Sequence, residues 1–149
     1  GSLIRRGNVL RGRRRFGGLT VIRIAADSVP VSAFVDSGAQ YSIGNIALLD
    51  AIGVRRPDLR TQAIRTPIFG VTGQQLTGDL AFVPRLRIGS TTLRDTPVVF
   101  ADVHAFRVWD LMEEPAMILG ADLIGRFRDL TIDLGRAELT FGQPLVRPD

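Results

Sequence analysis

An acidic residue that directly follows an apolar run is the first candidate for chemistry in this sequence. Ala33, Phe34 and Val35 predict the end of a strand, and Asp36-Ser37-Gly38 predicts a tight loop. A carboxylate placed on such a loop costs free energy unless something uses it, and acid–base chemistry is one such use. The other elements of the chain must therefore position Asp36.

The other residues that could do chemistry have simpler interpretations. His104 is the only histidine, and it has neither a serine or cysteine elbow nor a second histidine at ligand spacing, so we interpret it as structural or solvated. Glu113 and Glu114 are interpreted as part of a solvated face. The glycines between Gly70 and Gln75 precede no Gly-Lys-Ser or Gly-Lys-Thr, which disfavours a phosphate-binding loop.

The composition favours one globular domain. The chain has 149 residues, of which 45% are hydrophobic, and a domain of this length buries roughly 70% of its unfolded surface. The absence of cysteine excludes a disulfide framework, thiolate zinc sites and a cysteine nucleophile. We predict no cofactor and no metal. No apolar run approaches the roughly 20 residues of a membrane helix, and no signal-peptide pattern occurs.

Positive charge is concentrated at the N-terminus. All 19 basic residues are arginine; six precede Phe16, where no acid occurs, and the other 13 accompany all 15 acids, so the body carries a net charge of −2. We expect residues 1–18 to form a basic Gly/Arg-rich arm that begins with a tag remnant, Gly1-Ser2. Three interpretations stay open: a tail packed on a neighbouring molecule, a contact with nucleic acid or an anionic surface, and a propeptide-like segment across a cleft.

Short strands separated by turn signals dominate the remainder of the chain. Asn45 is a good N-cap for a short helix over 46–52, and a second short helix is predicted over 121–127. We expect an irregular link over 54–59, and a loop with one helical turn over 104–114. Alternation and turn residues predict strands over residues 19–25, 31–35, 61–69, 76–83, 85–89, 91–94, 97–100, 115–120, 130–134 and 137–141.

Two motifs in order carry a family resemblance. Phe34-Val35-Asp36-Ser37-Gly38-Ala39 is followed about eighty residues later by Ile118-Leu119-Gly120-Ala121-Asp122-Leu123-Ile124. A helix and a glycine-tipped hairpin lie between the two motifs, and a strand pair follows the second. In this order and spacing the chain, over roughly Leu19 to Phe141, resembles the retropepsin-like (retroviral-type) aspartic proteases, a family that has single-domain bacterial members.

The resemblance implies a fold and an assembly. The fold would be all-β, a retropepsin-like acid protease half-barrel with one or two short helices, spanning residues 19–143 before a tail at 144–149, and active as a two-fold homodimer. Water attack on a peptide needs two carboxylates that share one proton. The chain has one candidate, because Asp133-Leu134-Gly135 lacks the hydroxyl and falls in the expected turn of the last hairpin. A second copy would therefore supply the partner of Asp36.

The resemblance also implies roles for individual residues. Asp36 would be catalytic; Ser37 would bond across the dimer, Gly38 would let the backbone approach the carboxylates, and Ala39 would line the cleft. Ala121-Asp122 stands where retroviral members often carry an arginine, so the dimer ion pair usual there is not expected. The flap over the substrate would comprise Phe69, Gly70, Val71, Thr72 and Gly73, and the structural strand beneath the site Ile118, Leu119 and Gly120.

The function predicted from this resemblance is that of an aspartic endopeptidase, an enzyme that hydrolyses peptide bonds. Two alternatives from other classes stay open: a catalytically silent domain that only dimerises or binds peptides, and a nucleic-acid-binding module that uses the arginine-rich arm. The acidic body disfavours the second, so the expected partners are a second copy and a protein or peptide substrate, with no nucleic acid. A periplasmic or membrane-anchored location is favoured over a cytoplasmic one, with any tether upstream of residue 1.

Overall fold

The chain is described by a computed structural model over residues 8–11, 13–15, 19–36, 38–69, 75–126, 130–133 and 138–141. Side chains are described for residues 20–36, 38–69 and 75–126. None of the helices in these ranges is long and apolar enough to cross a membrane.

The elements alternate between many strands and a few short helices. The helices are α1 (Ile46–Arg55), α2 (Pro57–Thr61), α3 (His104–Val108) and α4 (Ala121–Ile124). The strands are β1 (Asn8–Arg11), β2 (Arg13–Arg15), β3 (Leu19–Ala26), β4 (Val29–Val35), β5 (Ile43–Gly44), β6 (Ile64–Phe69), β7 (Gln75–Ile88), β8 (Thr91–Phe100), β9 (Ala116–Leu119), β10 (Leu130–Asp133) and β11 (Glu138–Phe141).

Most of the strands form one sheet that curls into a ring. Its order is β2-β3-β4-β9-β5-β8-β7-β6. Two further pairings, Ala25 with Arg87 and Ala26 with Leu86, join β3 to β7. The strands from β3 to β7 in this order therefore close into a barrel, and β2 and β6 extend it as edges. The predicted all-β half-barrel with short helices is the architecture observed.

The centre of the sheet brings together strands that are distant in sequence. β9 lies between β4, to which it is parallel, and β5, to which it is antiparallel. All four residues of β9 are buried, which is why this strand appears in the sequence as an unbroken apolar run. The chain that leaves β4 must cross the end of β9 before it can enter β5. This crossing carries Asp36.

Successive residues of β9 contribute to two different hydrophobic clusters. Met117 belongs to a cluster that includes Leu48 of α1. Ile118 belongs to a second cluster that includes Phe34 of β4 and Phe106 of α3. Because side chains on a strand point alternately to opposite faces, the central strands are packed on both sides, and the end of β4 is held rigidly.

Asn45 fixes the start of α1, as predicted, and also binds the segment that leads into β9. Its side chain accepts a hydrogen bond from the backbone N–H of Leu48 at 2.9 Å, which makes it the N-cap. It also accepts from the N–H of Ala116 at 3.0 Å and donates to the carbonyls of Leu111 at 2.8 Å and Glu114 at 2.7 Å. One buried amide therefore joins the helix to the segment that enters β9.

The predicted irregular link over residues 54–59 is wrong. α1 continues to Arg55, and a second helix, α2, begins at Pro57. Proline is favoured at the first helical position, since its missing N–H has no partner there in any case and its φ is already helical. Proline in the sequence indicated a break, and the structure shows that it marks a new start.

The three short strands predicted over residues 85–100 are in fact parts of two long strands. β7 and β8 form a hairpin whose turn contains Gly89, with φ at 62°. The turn signals around Asp95 mark a local interruption: the register passes from Val83 opposite Thr96 to Arg85 opposite Arg94, and Asp95 has φ at 49°. The register is the same on both sides, so the interruption leaves out one residue of each strand, Pro84 and Asp95, and the hairpin continues past it. Proline has no backbone N–H to pair.

Part of the predicted N-terminal arm joins the sheets through its backbone. β1 pairs with β11, which also pairs with β10, to make a separate three-stranded sheet. β2 pairs with β3 at the edge of the large sheet. The domain boundaries at residues 18 and 143 stay predictions.

Replacing Asn45 by alanine should strongly destabilise the protein. The change removes a helix cap and leaves buried backbone groups of two segments without partners, so we expect the free energy of unfolding to fall by about 3 kcal/mol or more. Chemical denaturation measures it. Gln62→Ala, at an exposed position with no described side-chain hydrogen bond, is the control and should change it by less than about 0.5 kcal/mol. Equal effects of the two substitutions would contradict the role given to Asn45.

Candidate active site

The two sequence motifs lie side by side in the structure. Phe34 pairs with Ile118 and Val35 with Leu119 in the parallel register of β4 and β9. One residue further, the N–H of Asp36 donates to the carbonyl of Leu119 at 3.0 Å. The pairing of β4 with β9 thus continues to the catalytic candidate and sets where its carboxylate leaves the sheet.

The carboxylate of Asp36 is exposed and partly fixed. The N–H of Gly38 donates to Asp36 Oδ1 at 3.0 Å, and the N–H of Ala39 donates to the Asp36 carbonyl at 3.1 Å. A β-carbon on Gly38 would lie 3.3 Å from Asp36 Oδ1, closer than most such contacts allow. Within the described part of the chain, Asp36 Oδ2 has no hydrogen-bond partner. One oxygen is therefore oriented by the loop, and the other is available for chemistry.

Gly120 is required because the loop lies directly on it. A β-carbon at Gly120 would be 2.5 Å from the carbonyl oxygen of Tyr41 and 2.9 Å from that of Ala39, and both of these atoms belong to the backbone. The next residue, Ala121, donates its N–H to the Ala39 carbonyl at 2.7 Å. The glycine after β9 is thus explained by close approach of the Asp36 loop.

Ser42 and Asp122 hold the far end of the same loop. Ser42 Oγ donates to Asp122 Oδ1 at 2.7 Å, and the Ser42 N–H donates to Asp122 Oδ2 at 3.2 Å. Ser42 Oγ in turn accepts from the N–H of Gly120 at 3.0 Å. Asp122, at the position where a dimer ion pair was not expected, therefore works within its own chain. Sequence analysis missed this contact, because nothing in the sequence links residues so far apart.

An aromatic pair supports the strand that carries Asp36. The rings of Phe34 and Trp109 stack with their centroids 4.6 Å apart and their planes at 27°. Trp109 follows α3, where Arg107 forms an ion pair with Asp102. The hydrogen bond that Arg107 donates to Asp102, together with the negative charge of Asp102, raises the pKa of Arg107. The predicted loop with one helical turn is confirmed, but its contact with the strand that leads to Asp36 was not predicted.

The remaining predicted site residues differ in what can be said of them. Ile118 and Leu119 are buried in β9, as expected of a structural strand. Phe69 ends β6 and is 63% exposed. Ser37 and the flap residues Gly70, Val71, Thr72 and Gly73 lie outside the described residues. The catalytic, supporting and flap roles stay predictions.

The described side chains form no cluster suited to a metal. Within those ranges, no group of three or more histidine, aspartate or glutamate side chains is placed to hold an ion. His104, at the start of α3, is exposed.

Comparison with known proteins agrees with this geometry. The model of a family described as "Aspartyl protease" matches residues 21–123, which include both motifs. The chain belongs to the aspartyl protease family. None of the curated proteins compared with the chain matches it.

Two solved structures share the fold. A retropepsin-like aspartic protease from Rickettsia conorii is 15% identical, with a TM-score of 0.61, over 89% of this chain and 87% of that chain. The retroviral protease-like domain of Ddi1 from Leishmania major is 23% identical, with a TM-score of 0.52, over 85% of this chain and 90% of that chain. The retropepsin-like fold predicted from the two motifs is confirmed.

Gly120→Ala and Gly53→Ala should have opposite effects on stability. The first places a β-carbon against backbone atoms that can move only with the Asp36 loop, so we expect a loss of about 1–3 kcal/mol in the free energy of unfolding. The second adds a β-carbon inside α1, where the nearest atom is 3.9 Å away, and should gain up to about 1 kcal/mol. Denaturant unfolding compares them, and a neutral Gly120→Ala would show that the loop does not lie on Gly120.

Proposed function

We propose that this protein is an aspartic endopeptidase that acts as a two-fold homodimer, with Asp36 of each copy in one shared site. The observation that carries the proposal is the setting of Asp36. Its backbone continues the pairing of β4 with β9, its Oδ1 is oriented by Gly38, and its side chain is exposed. Membership of the aspartyl protease family supports the same conclusion.

The need for two copies follows from the chemistry. Two carboxylates held close together cannot both ionise cheaply, so one stays protonated and serves as the acid while the other takes a proton from water. The two groups then titrate as a pair. Among the described aspartates, only Asp133 also has a glycine two positions later, and Asp133 lies within β10, paired with Glu138 of β11. The partner carboxylate is therefore assigned to a second copy.

The proposed reaction begins with a water molecule held between the two Asp36 side chains. The ionised carboxylate removes a proton as the water oxygen attacks the peptide carbonyl, and the protonated one donates its proton to the carbonyl oxygen. Proton transfer to the amide nitrogen then releases the amine product. The loop bond from Gly38 would keep Oδ1 in place throughout, and the flap would exclude bulk water from the closed site.

The proposed substrate is an extended protein segment with apolar side chains beside the scissile bond. Ala39, adjacent to the catalytic loop, packs against the cluster that contains Phe34, Ile43 and Ile118. Phe69 is the last residue of β6, the strand that leads into the predicted flap, and it exposes a large apolar surface. Apolar surfaces of this kind favour apolar side chains by the hydrophobic effect.

Asp36→Asn should abolish cleavage of an unstructured protein. The amide cannot accept the proton of the attacking water, so we expect a loss of roughly 10²- to 10⁴-fold or more in kcat/KM. Asp58→Asn, the same change at an exposed aspartate on α2, is the matched control and should retain activity. Cleavage by the Asp36→Asn protein at the wild-type rate would reject the proposal. Peptide binding without cleavage by the wild type would favour the silent domain instead.

Activity should also require association of two copies. On dilution, specific activity should fall over the concentration range in which sizing shows dimers separating into monomers. An excess of Asp36→Asn chains should lower the activity of wild-type chains, because mixed dimers have one catalytic carboxylate. An equal excess of Asp58→Asn chains should not. Constant specific activity in fully monomeric samples would contradict a shared site.

A further inference from the structure

A concave site lies between Asp95 of β8 and the region of α4. It is a cavity of about 370 Å³ that is lined by residues 94–97 of β8, by Phe82 of β7, and by Asp122, Leu123 and Arg126. Cavities that take small ligands begin at roughly this size. Neither the family match nor the proposed reaction assigns a role to it.

Two arginines give the cavity its character. Arg94 and Arg126 both line it. Arg126 Nη1 donates to Thr96 Oγ1 at 3.2 Å, and Thr96 is 1% exposed, so this guanidinium is held against the buried wall. Among the side chains that the structure describes, no carboxylate lies within 4.0 Å of either guanidinium. The two positive charges are therefore available to a ligand.

The neighbouring strand adds to the positive potential. Arg94 lies directly opposite Arg85 in the register of β7 and β8. Like charges directly opposite each other in a sheet destabilise it. An anion bound beside Arg94 would offset this repulsion, as a planar guanidinium binds carboxylate and phosphate groups well.

The two acids that line the cavity, Asp95 and Asp122, form no ion pair with its arginines among the described side chains. Asp122 is committed elsewhere, because its carboxylate accepts hydrogen bonds from Ser42 and from the N–H of Leu123. Asp95 lies at the interruption of the β7–β8 pairing, with φ at 49°, and forms no ion pair with the described residues. Asp95 thus lies beside the arginines as a negative group that an incoming anion must tolerate.

An apolar wall completes the cavity. Phe82 is opposite Pro97 in the register of β7 and β8, and both line the cavity. Phe82 is 53% exposed, which is unusual for so large an apolar side chain on a paired strand. A ring or aliphatic group that covers it would remove apolar surface from water.

We propose that this cavity binds a small organic anion, in which a carboxylate or phosphate group is attached to an apolar body. The anionic group contacts Arg94 and Arg126, and the apolar body packs on Phe82 and Pro97. The proposal concerns binding only and does not depend on the proteolytic activity.

The test is a titration of the folded 149-residue chain followed by heteronuclear NMR. Phenyl phosphate and benzoate are the probes, and benzyl alcohol is the neutral control with a similar body. We expect saturable shifts at the cavity residues with at least one anionic probe and none with the alcohol. The tighter of the two anions tells whether phosphate or carboxylate is the preferred group. No saturable binding of either anion up to about 10 mM, a Kd corresponding to about −2.7 kcal/mol, would overturn the proposal.

Matched variants locate the binding. Arg94→Gln should weaken it about tenfold, the loss expected for one charge-assisted hydrogen bond, and Phe82→Ala should weaken binding of the probes but not of inorganic phosphate. Asp95→Asn should strengthen binding, because it removes a negative charge and asparagine tolerates the same φ. Arg55→Gln removes an exposed arginine at the end of α1 and is the control. Equal affinities of the Arg94→Gln and Arg55→Gln proteins for the probes would place binding elsewhere and reject the site.

Discussion

The parallel pairing of β4 with β9 is the interaction on which the rest of the structure depends. It joins segments that are far apart in the chain, it buries β9 on both faces, and it continues through the bond from the Asp36 N–H to the Leu119 carbonyl. The entropy of closing so long a loop must be repaid by the hydrophobic packing on both sides of the pair. Because β9 is buried on both faces, the carboxylate that follows β4 has a defined direction.

Hydrogen bonds between Ser42 and Asp122 add to the pairing of β4 with β9 in holding the Asp36 loop. The loop after Asp36 turns sharply over the end of β9. It lies on Gly120, and Ser42 of the loop donates a hydrogen bond to Asp122. Ser42 is buried, so loss of the exposed Asp122 carboxylate would leave a buried hydroxyl without its acceptor, which costs free energy. The side chain at position 122 therefore serves the loop of its own subunit, and the proposed dimer interface must be built without an arginine at position 121.

In the proposed dimer, each copy supplies one carboxylate of the catalytic pair. By itself, an exposed carboxylate with one oriented oxygen is a weak catalyst. In the proposed mechanism, a second carboxylate nearby makes one of the two groups an acid and the other a base. The cavity near α4 differs in character, since it combines two arginines and two aspartates with apolar surface. Asp122 borders that cavity and also holds the Asp36 loop, so the two regions share one residue.

The sequence alone determined the family, the fold and the catalytic candidate, because these depend on short local patterns: an apolar run, Asp-Ser-Gly, and a second apolar run that ends in glycine. It also located the cap at Asn45 and most of the strands. It failed at Pro57 and at Asp95, where local turn signals were overridden by a new helix and by pairing along β7. Only the tertiary structure decided which distant side chains meet, as Ser42 with Asp122 and Phe34 with Trp109. Those contacts form only once β9 is inserted between β4 and β5, and no local pattern in one chain records them.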